Sequence, residues 1–190
     1  YLAFGKTYGK MTGMPVGLIQ TSLGGSPMER WNPKDGDLYL NMLDKIHQTG
    51  GKYAGVLWYQ GCSDTNPGPA EKYLEHFREY VEATRKELGY EIPFFTMQLN
   101  RQINGINDEC WGMVRDAQAR AAKEIPGVSV LTTSNLSLCD GIHNTAQANV
   151  ALGEKLAKQC AHVLNGKEEY QPPELVKVER ADEAERKSFQ

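Results

Sequence analysis

The stretch "YAGVLWYQGCSD", residues 53–64, decides how the chain is read. Residues 53–59 form an apolar run of strand length, rich in aromatic and branched side chains, the composition of a strand buried on both faces. The run then breaks into an amide (Gln60), a glycine, a thiol (Cys62), a hydroxyl (Ser63) and a carboxylate (Asp64). Further on, residues 69–88 carry Tyr73, Leu74, Phe77, Tyr80, Val81 and Leu88 at the three-and-four spacing of an amphipathic helix, stopped by Gly89. A buried strand followed by such a helix is half of a βαβ unit, and it puts the reactive residues at the strand's carboxyl end.

The alternation continues in both directions. Upstream, residues 2–14 read as a helix closed by Gly13 and Pro15, residues 16–22 as a strand running into Gly24 and Gly25, and residues 37–48 as a short helix closed by Gly50 and Gly51. Downstream, residues 94–99 read as a strand, 100–109 as a polar loop, 111–124 as a helix, 128–132 as a strand and 145–164 as a final helix. Strands alternating with helices predict a three-layer α/β/α, flavodoxin-like arrangement around a parallel sheet. In such sheets sites form beyond the carboxyl ends of the strands. Three strands end there in chemically loaded loops, "TSLGGSPMERW", "QGCSDTN" and "SNLSLCDGIHN", which should converge.

Bulk properties exclude other classes. The 190 residues suit one domain, and a net charge of −3 gives no electrostatic case for nucleic acid or an anionic membrane. No apolar run approaches the ~20 residues that span a bilayer. Cys62, Cys110, Cys139 and Cys160 lack CxxC spacing, which argues against a zinc knuckle or a thioredoxin-type motif. No GxGxxG or Walker pattern supports a nucleotide-binding module. Residues 166–190 are rich in proline and charge and read as a C-terminal extension or linker after a domain of residues 1–165.

Of four histidines, His47, His76 and His162 fall within helices, whereas His143 lies in a loop three residues after Asp140. A carboxylate bonded to Nδ1 fixes the tautomer and stabilises the imidazolium formed when Nε2 takes a proton. The alternative is an aspartate capping a helix beside an incidental histidine. Gly24 and Gly25 are either an ordinary tight turn or a place where backbone N–H groups approach a substrate oxyanion. Gln60 is either a further oxyanion donor or an amide that satisfies loop backbone. Cys62 has three outcomes open to it: packing, a reactive thiol, or a disulfide to Cys110 or Cys139.

The blocks "VGLIQTSLGGSPMERW" (16–31), "GVLWYQGCSD" (55–64), "WGMVRDAQ" (111–118) and "CDGIHN" (139–144) resemble, in order, the SGNH hydrolase superfamily in its sialate O-acetylesterase and acetylxylan esterase-like branch. That resemblance implies a cofactor-free and metal-free carbohydrate O-acetylesterase acting on acetylated sugars, in an extracellular or periplasmic setting. It assigns His143 and Asp140 to a catalytic triad, Gly25 and Gln60 to the oxyanion hole, and Arg30 and Trp31 to the sugar. A non-catalytic carbohydrate-binding relative is the alternative. Two departures stand out. Many relatives have glutamate where this chain has Cys62, which leaves the acid role to Asp140. The family's serine nucleophile lies in a GQSN-type block on the first strand, and this chain has no such block. In a 2-1-3-4-5 strand order the strands of residues 16–22 and 53–59 would then flank a central strand supplied by upstream sequence.

Overall fold

The computed structural model describes residues 1–166. Three strands, β1 (Val56–Trp58), β2 (Phe94–Met97) and β3 (Val128–Leu131), form a parallel sheet in the order β1-β2-β3. Five α-helices surround it: α1 (Leu2–Thr12), α2 (Asp37–Thr49), α3 (Pro69–Leu88), α4 (Asp108–Glu124) and α5 (Ala146–Asn165).

Alternation along β2 divides the interior in two. Phe94 joins the core beneath α2, α3 and α4, with Trp31, Trp58, Tyr73, Phe77 and Tyr80. Phe95 and Met97 join Leu131 in a second core beneath α1 and α5. Successive strand side chains point to opposite faces, so one central strand anchors both helical layers. The first core is held by ring packing: Tyr80 lies 4.6 Å from Trp58 and 5.7 Å from Phe94, centroid to centroid. In the second, Gly153 of α5 admits α1 at close range, since a Cβ there would stand 2.9 Å from the backbone nitrogen of Phe4.

Helix α3 matches its sequence limits because both ends are specified. Pro69 begins it, Glu71 accepts the backbone N–H of Gly68, and Gly89 closes it in the left-handed conformation. Strands came out shorter than their apolar runs, since pairing ends before hydrophobicity does.

One expected strand does not form. Residues 14–23 make no ladder, and Leu18, Ile19 and Leu23 are exposed. An apolar run becomes a strand only with a neighbour for its N–H and C=O groups, and among the described residues β1 pairs with β2 alone. The expected C-terminal extension lies almost wholly outside the described residues. No helix among those described is long and apolar enough to cross a membrane.

Placing a branched side chain at the helix contact tests the α1–α5 packing. Gly153→Val should lower the stability of the folded chain by about 1–3 kcal/mol, the usual cost of overpacking. Urea unfolding measures it, and an unchanged midpoint would mean that the two helices are not in close contact.

Candidate active site

The site sits where the loops beyond the strands meet. Residues Ser137 to Thr145 form a small hairpin: Leu138 and Asn144 make an antiparallel bridge, Cys139 N–H donates to the His143 carbonyl at 2.9 Å, and Thr145 N–H donates to Ser137 at 3.0 Å. At its tip the Asp140 Oδ1 accepts backbone N–H groups from Ile142 (2.8 Å) and His143 (2.7 Å), and Oδ2 lies 2.8 Å from His143 Nδ1. These donors hold the Asp140 carboxyl down at about 2, the Ile142 and His143 amides first and the imidazole after them. With an ionised acceptor at Nδ1, the ring carries its proton there and keeps Nε2 as a base. Both side chains are more than half exposed, at 53% for Asp140 and 66% for His143. The helix-capping alternative fails, because Thr145 caps α5 by accepting the Ala148 N–H.

A buried carboxylate ties the other two loops together. Asp64, 3% exposed, accepts the Met28 N–H at 3.0 and 3.1 Å and the Gln60 Nε2 at 2.5 Å. Burial raises its pKa above the ordinary carboxylate value, although these donors pull the other way. Gln60 Nε2 also donates to the Ser26 carbonyl at 2.9 Å. Together the two side chains pin the backbone just after Gly25, which turns at φ 70°.

The structure therefore reassigns three expected site residues. Both N–H bonds of the Gln60 amide are used inside the protein, so its arrangement is that of a positioning group and not of a waiting oxyanion donor. Trp31 is no sugar platform: it is 3% exposed, packs edge-on to Trp58 at 5.0 Å and donates Nε1–H to the Ser26 hydroxyl. Arg30 spends its guanidinium on Asp37 through bonds of 2.9 and 2.6 Å. Ser26, whose hydroxyl donates to the Leu23 carbonyl, is part of the same packing. All four cysteines are free, which removes the disulfide. Burial first, and then the negative charge of Asp140 and Asp64, push the Cys62 thiol up, against a thiolate nucleophile.

Several residues that position the site were not singled out individually in the sequence. Gln118 accepts the Leu99 N–H at 2.7 Å and donates to the Gln60 carbonyl at 2.9 Å. Asn100 donates to Asn144 at 2.7 Å and to the Leu136 carbonyl, and Asn144 donates to the Tyr59 hydroxyl. Trp111 and Arg115 bond the carbonyls of Asn100 and Leu99. The "WGMVRDAQ" block is thus a helical face that satisfies the end of β2, and only its spacing of four and three hinted at this. Gly61 completes the junction, since a Cβ there would lie 3.0 Å from both Gln118 Nε2 and Val114 Cγ1. Among the described residues no group of three or more His, Cys, Asp or Glu side chains is arranged to hold a metal.

Known proteins resemble this chain in sequence and in fold. Residues 1–162 match the model of a family described as SASA, carbohydrate esterase, sialic acid-specific acetylesterase. A probable carbohydrate esterase of Arabidopsis thaliana is 28% identical over 149 residues, covering 75% of this chain and 54% of the relative. The chain thus spans about half the length of that curated relative. The X-ray structure of an Arabidopsis thaliana protein superposes with a TM-score of 0.76 at 25% identity, over 86% of this chain and 68% of the other. A carbohydrate acetylesterase from Xanthomonas citri gives 0.75 at 26% identity, over 87% and 40%.

The two carboxylates predict opposite pH slopes. Folded Asp64 keeps its proton to higher pH than in the unfolded chain, so stability falls as pH rises above about 3.8 through its raised pKa. Asp140 is depressed, so its contribution is present above about 3.8 and is lost as pH falls towards about 2. Asp64→Asn should abolish the first slope and keep the second. It should also cost about 1–3 kcal/mol, because one carboxylate oxygen becomes an NH2 group that turns a donor towards the Met28 N–H or the Gln60 amide. Urea unfolding across a pH series reads both effects, and an unaltered slope in the variant would assign it elsewhere.

Proposed function

Because the chain belongs to the carbohydrate esterase family of sialic acid-specific acetylesterase type, we propose that it forms the larger part of an enzyme that removes acetyl groups from sugar hydroxyls. One observation carries the reading: an imidazole whose Nδ1 is held 2.8 Å from an ionised carboxylate at the tip of a hairpin beyond the sheet.

In the proposed reaction His143 Nε2 takes the proton of a serine hydroxyl as its oxygen attacks the acetyl carbonyl. The imidazolium, stabilised by Asp140, then returns that proton to the sugar oxygen as the ester bond breaks. Water gives a proton to His143 as its oxygen attacks the acetyl-serine, and the imidazolium passes that proton to the serine oxygen as the acyl–oxygen bond breaks, which releases acetate and restores the serine. The Gly25 N–H is the proposed oxyanion donor, held in place by Gln60 and Asp64. The serine belongs to a segment outside this chain, whose strand would lie between residues 16–22 and β1. Three features support that placement: an edge of β1 unpaired among the described residues, exposed Leu18 and Ile19 in the apolar run 16–22, and a Gln60 Oε1 buried without a donor. The absence of a GQSN-type block in these 190 residues also supports a second reading, a sugar-binding relative without catalysis.

Acetate release by the full-length protein separates the two. His143→Ala should reduce it to background with the fold retained, and Asp140→Asn should lower kcat by roughly 10⁴-fold through loss of the correct tautomer. Near-normal turnover in His143→Ala would remove the triad, and no turnover in the full-length wild type would favour the binder. The strand insertion has its own readout. In the full-length protein the amides of residues 17–21 should exchange slowly with solvent, and fast exchange there would leave that segment without a strand partner.

A further inference from the structure

A cleft of about 200 Å³ opens beside the Asp140–His143 hairpin, between the loop after β1 and the polar loop before α4. Asn66, Gln102, Asn104 and Asn107 bring four carboxamides to its lining, with Ile106 and Ile142 as apolar walls. It adjoins the proposed catalytic pair through the chain itself, since Ile142 lies between Asp140 and His143 and its N–H donates to Asp140 Oδ1 at 2.8 Å. Gly141 lies against Asn104, 3.0 Å from its Nδ2 to the position a Cβ would occupy.

The lining is more specific than a polar loop requires. Asn107 is the N-cap residue of α4, yet its side chain makes no capping bond and donates instead to Asn66 Oδ1 at 2.9 Å. It does so from a left-handed backbone at φ 54°, an uncommon conformation for a residue other than glycine. Ile106 stays 65% exposed at the rim. Carboxamides offer donors and acceptors together, which matches hydroxyl groups, and an aliphatic edge matches the C–H face of a pyranose. The volume is below the ~300–1,000 Å³ that encloses drug-sized ligands, so it suits a single ring.

Charge is distinctive as well. No Lys, Arg or His is among the residues lining the cleft. Arg101 gives its Nη1 to the carbonyls of Ser134 and Leu136, and Arg115 bonds Leu99 and Ser134. Two carboxylates stand beside the lining residues, Asp108, which accepts the Gln102 amide, and Asp140, which accepts the Ile142 N–H, while the neighbouring Arg101 turns its Nη1 to backbone carbonyls. A carboxylate entering here would meet repulsion and no cation to offset its lost hydration.

Resting on the esterase reading, we infer that this amide-lined cleft holds the sugar ring of the substrate and selects an uncharged acetylated pyranose over an acidic sugar such as sialic acid. Two measurements on the full-length protein test it. Acetate release is compared for an O-acetylated methyl xyloside, an O-acetylated sialic acid glycoside, and the methyl ester of that sialoside. The xyloside should exceed the free-acid sialoside at least tenfold in kcat/KM, and methylation should recover several-fold of the deficit. Equal or better use of the free acid, or a loss on methylation, overturns the selectivity. The second measurement needs no turnover: side-chain amide NMR signals are followed while unacetylated methyl xyloside or methyl sialoside is added. Shifts at Asn66, Gln102 and Asn104 with the xyloside and not with the sialoside support the assignment, and the reverse, or no shift with either, overturns it. Failure of the esterase reading is seen separately, as no acetate from any substrate or from 4-nitrophenyl acetate while the xyloside shifts persist. Asn66→Ala should raise KM for the xyloside several-fold with kcat maintained, and an effect confined to kcat would mean that Asn66 acts on the fold instead.

Discussion

Burying the Asp64 carboxylate is the constraint around which this molecule is arranged. A charged group removed from water is tolerated only where donors meet it, and here they come from two separate loops: the Met28 backbone and the Gln60 side chain. The sheet offers no ladder to residues 14–23, so the segment leading to Gly25 depends on side chains for its position. Lys45 contributes at Gln20, and Gln60 fixes the carbonyl of Ser26. The turn proposed to meet the oxyanion is thus set by a carboxylate that never touches substrate. Neutralising Asp64 by protonation preserves its burial but weakens its hold on Met28, which links proton uptake to the geometry of the turn.

Side-chain amides do similar work on the opposite flank. Gln118, Asn100 and Asn144 connect the ends of β1 and β2 to the hairpin that carries Asp140 and His143. Each is buried; Gln118 satisfies the Leu99 N–H and the Gln60 carbonyl, Asn100 the Leu136 carbonyl, and Asn144 links the side chains of Asn100 and Tyr59. Strand ends are where a site has to open, so their hydrogen bonds must be completed by side chains if the loops are to diverge and still stay rigid.

Much of this was legible in the sequence, and the failures share a cause. The βα alternation and the whole of α3 could be read because periodicity, Pro69 and Gly89 are local signals. Asp140 and His143 could be read because a separation of three residues in a loop makes contact almost unavoidable. Residues 16–22 make no ladder among the described residues because hydrophobicity reports a need for burial and says nothing about whether a neighbouring backbone is at hand. Trp31 misled because an aromatic in a polar loop looks like a sugar platform until Ser26, Trp58 and Tyr80 are seen to enclose it. Gln60 was found as an important amide, but besides Asp64 it bonds Ser26, 34 residues away on a loop whose approach no spacing reveals. Local chemistry is written in the sequence; the identity of a distant partner is not.

The hairpin of residues 137–145 has a consequence for how such a protein changes over time. Base, orienting carboxylate and the amides that ionise it are all contained in one closed turn, seated on α5 by the Thr145 cap. The bonds that orient the imidazole are therefore inherited as a local unit within residues 140–143. The polar loop before α4 braces that unit from outside: Ile103 N–H donates to the Gly141 carbonyl at 3.0 Å, Asn104 lies against Gly141, and Asn100 donates to Asn144. On the esterase reading, descendants of this chain can change the side chains that line the cleft at residues 102, 104, 106 and 107 while the Asp140–His143 pair keeps its own bonds.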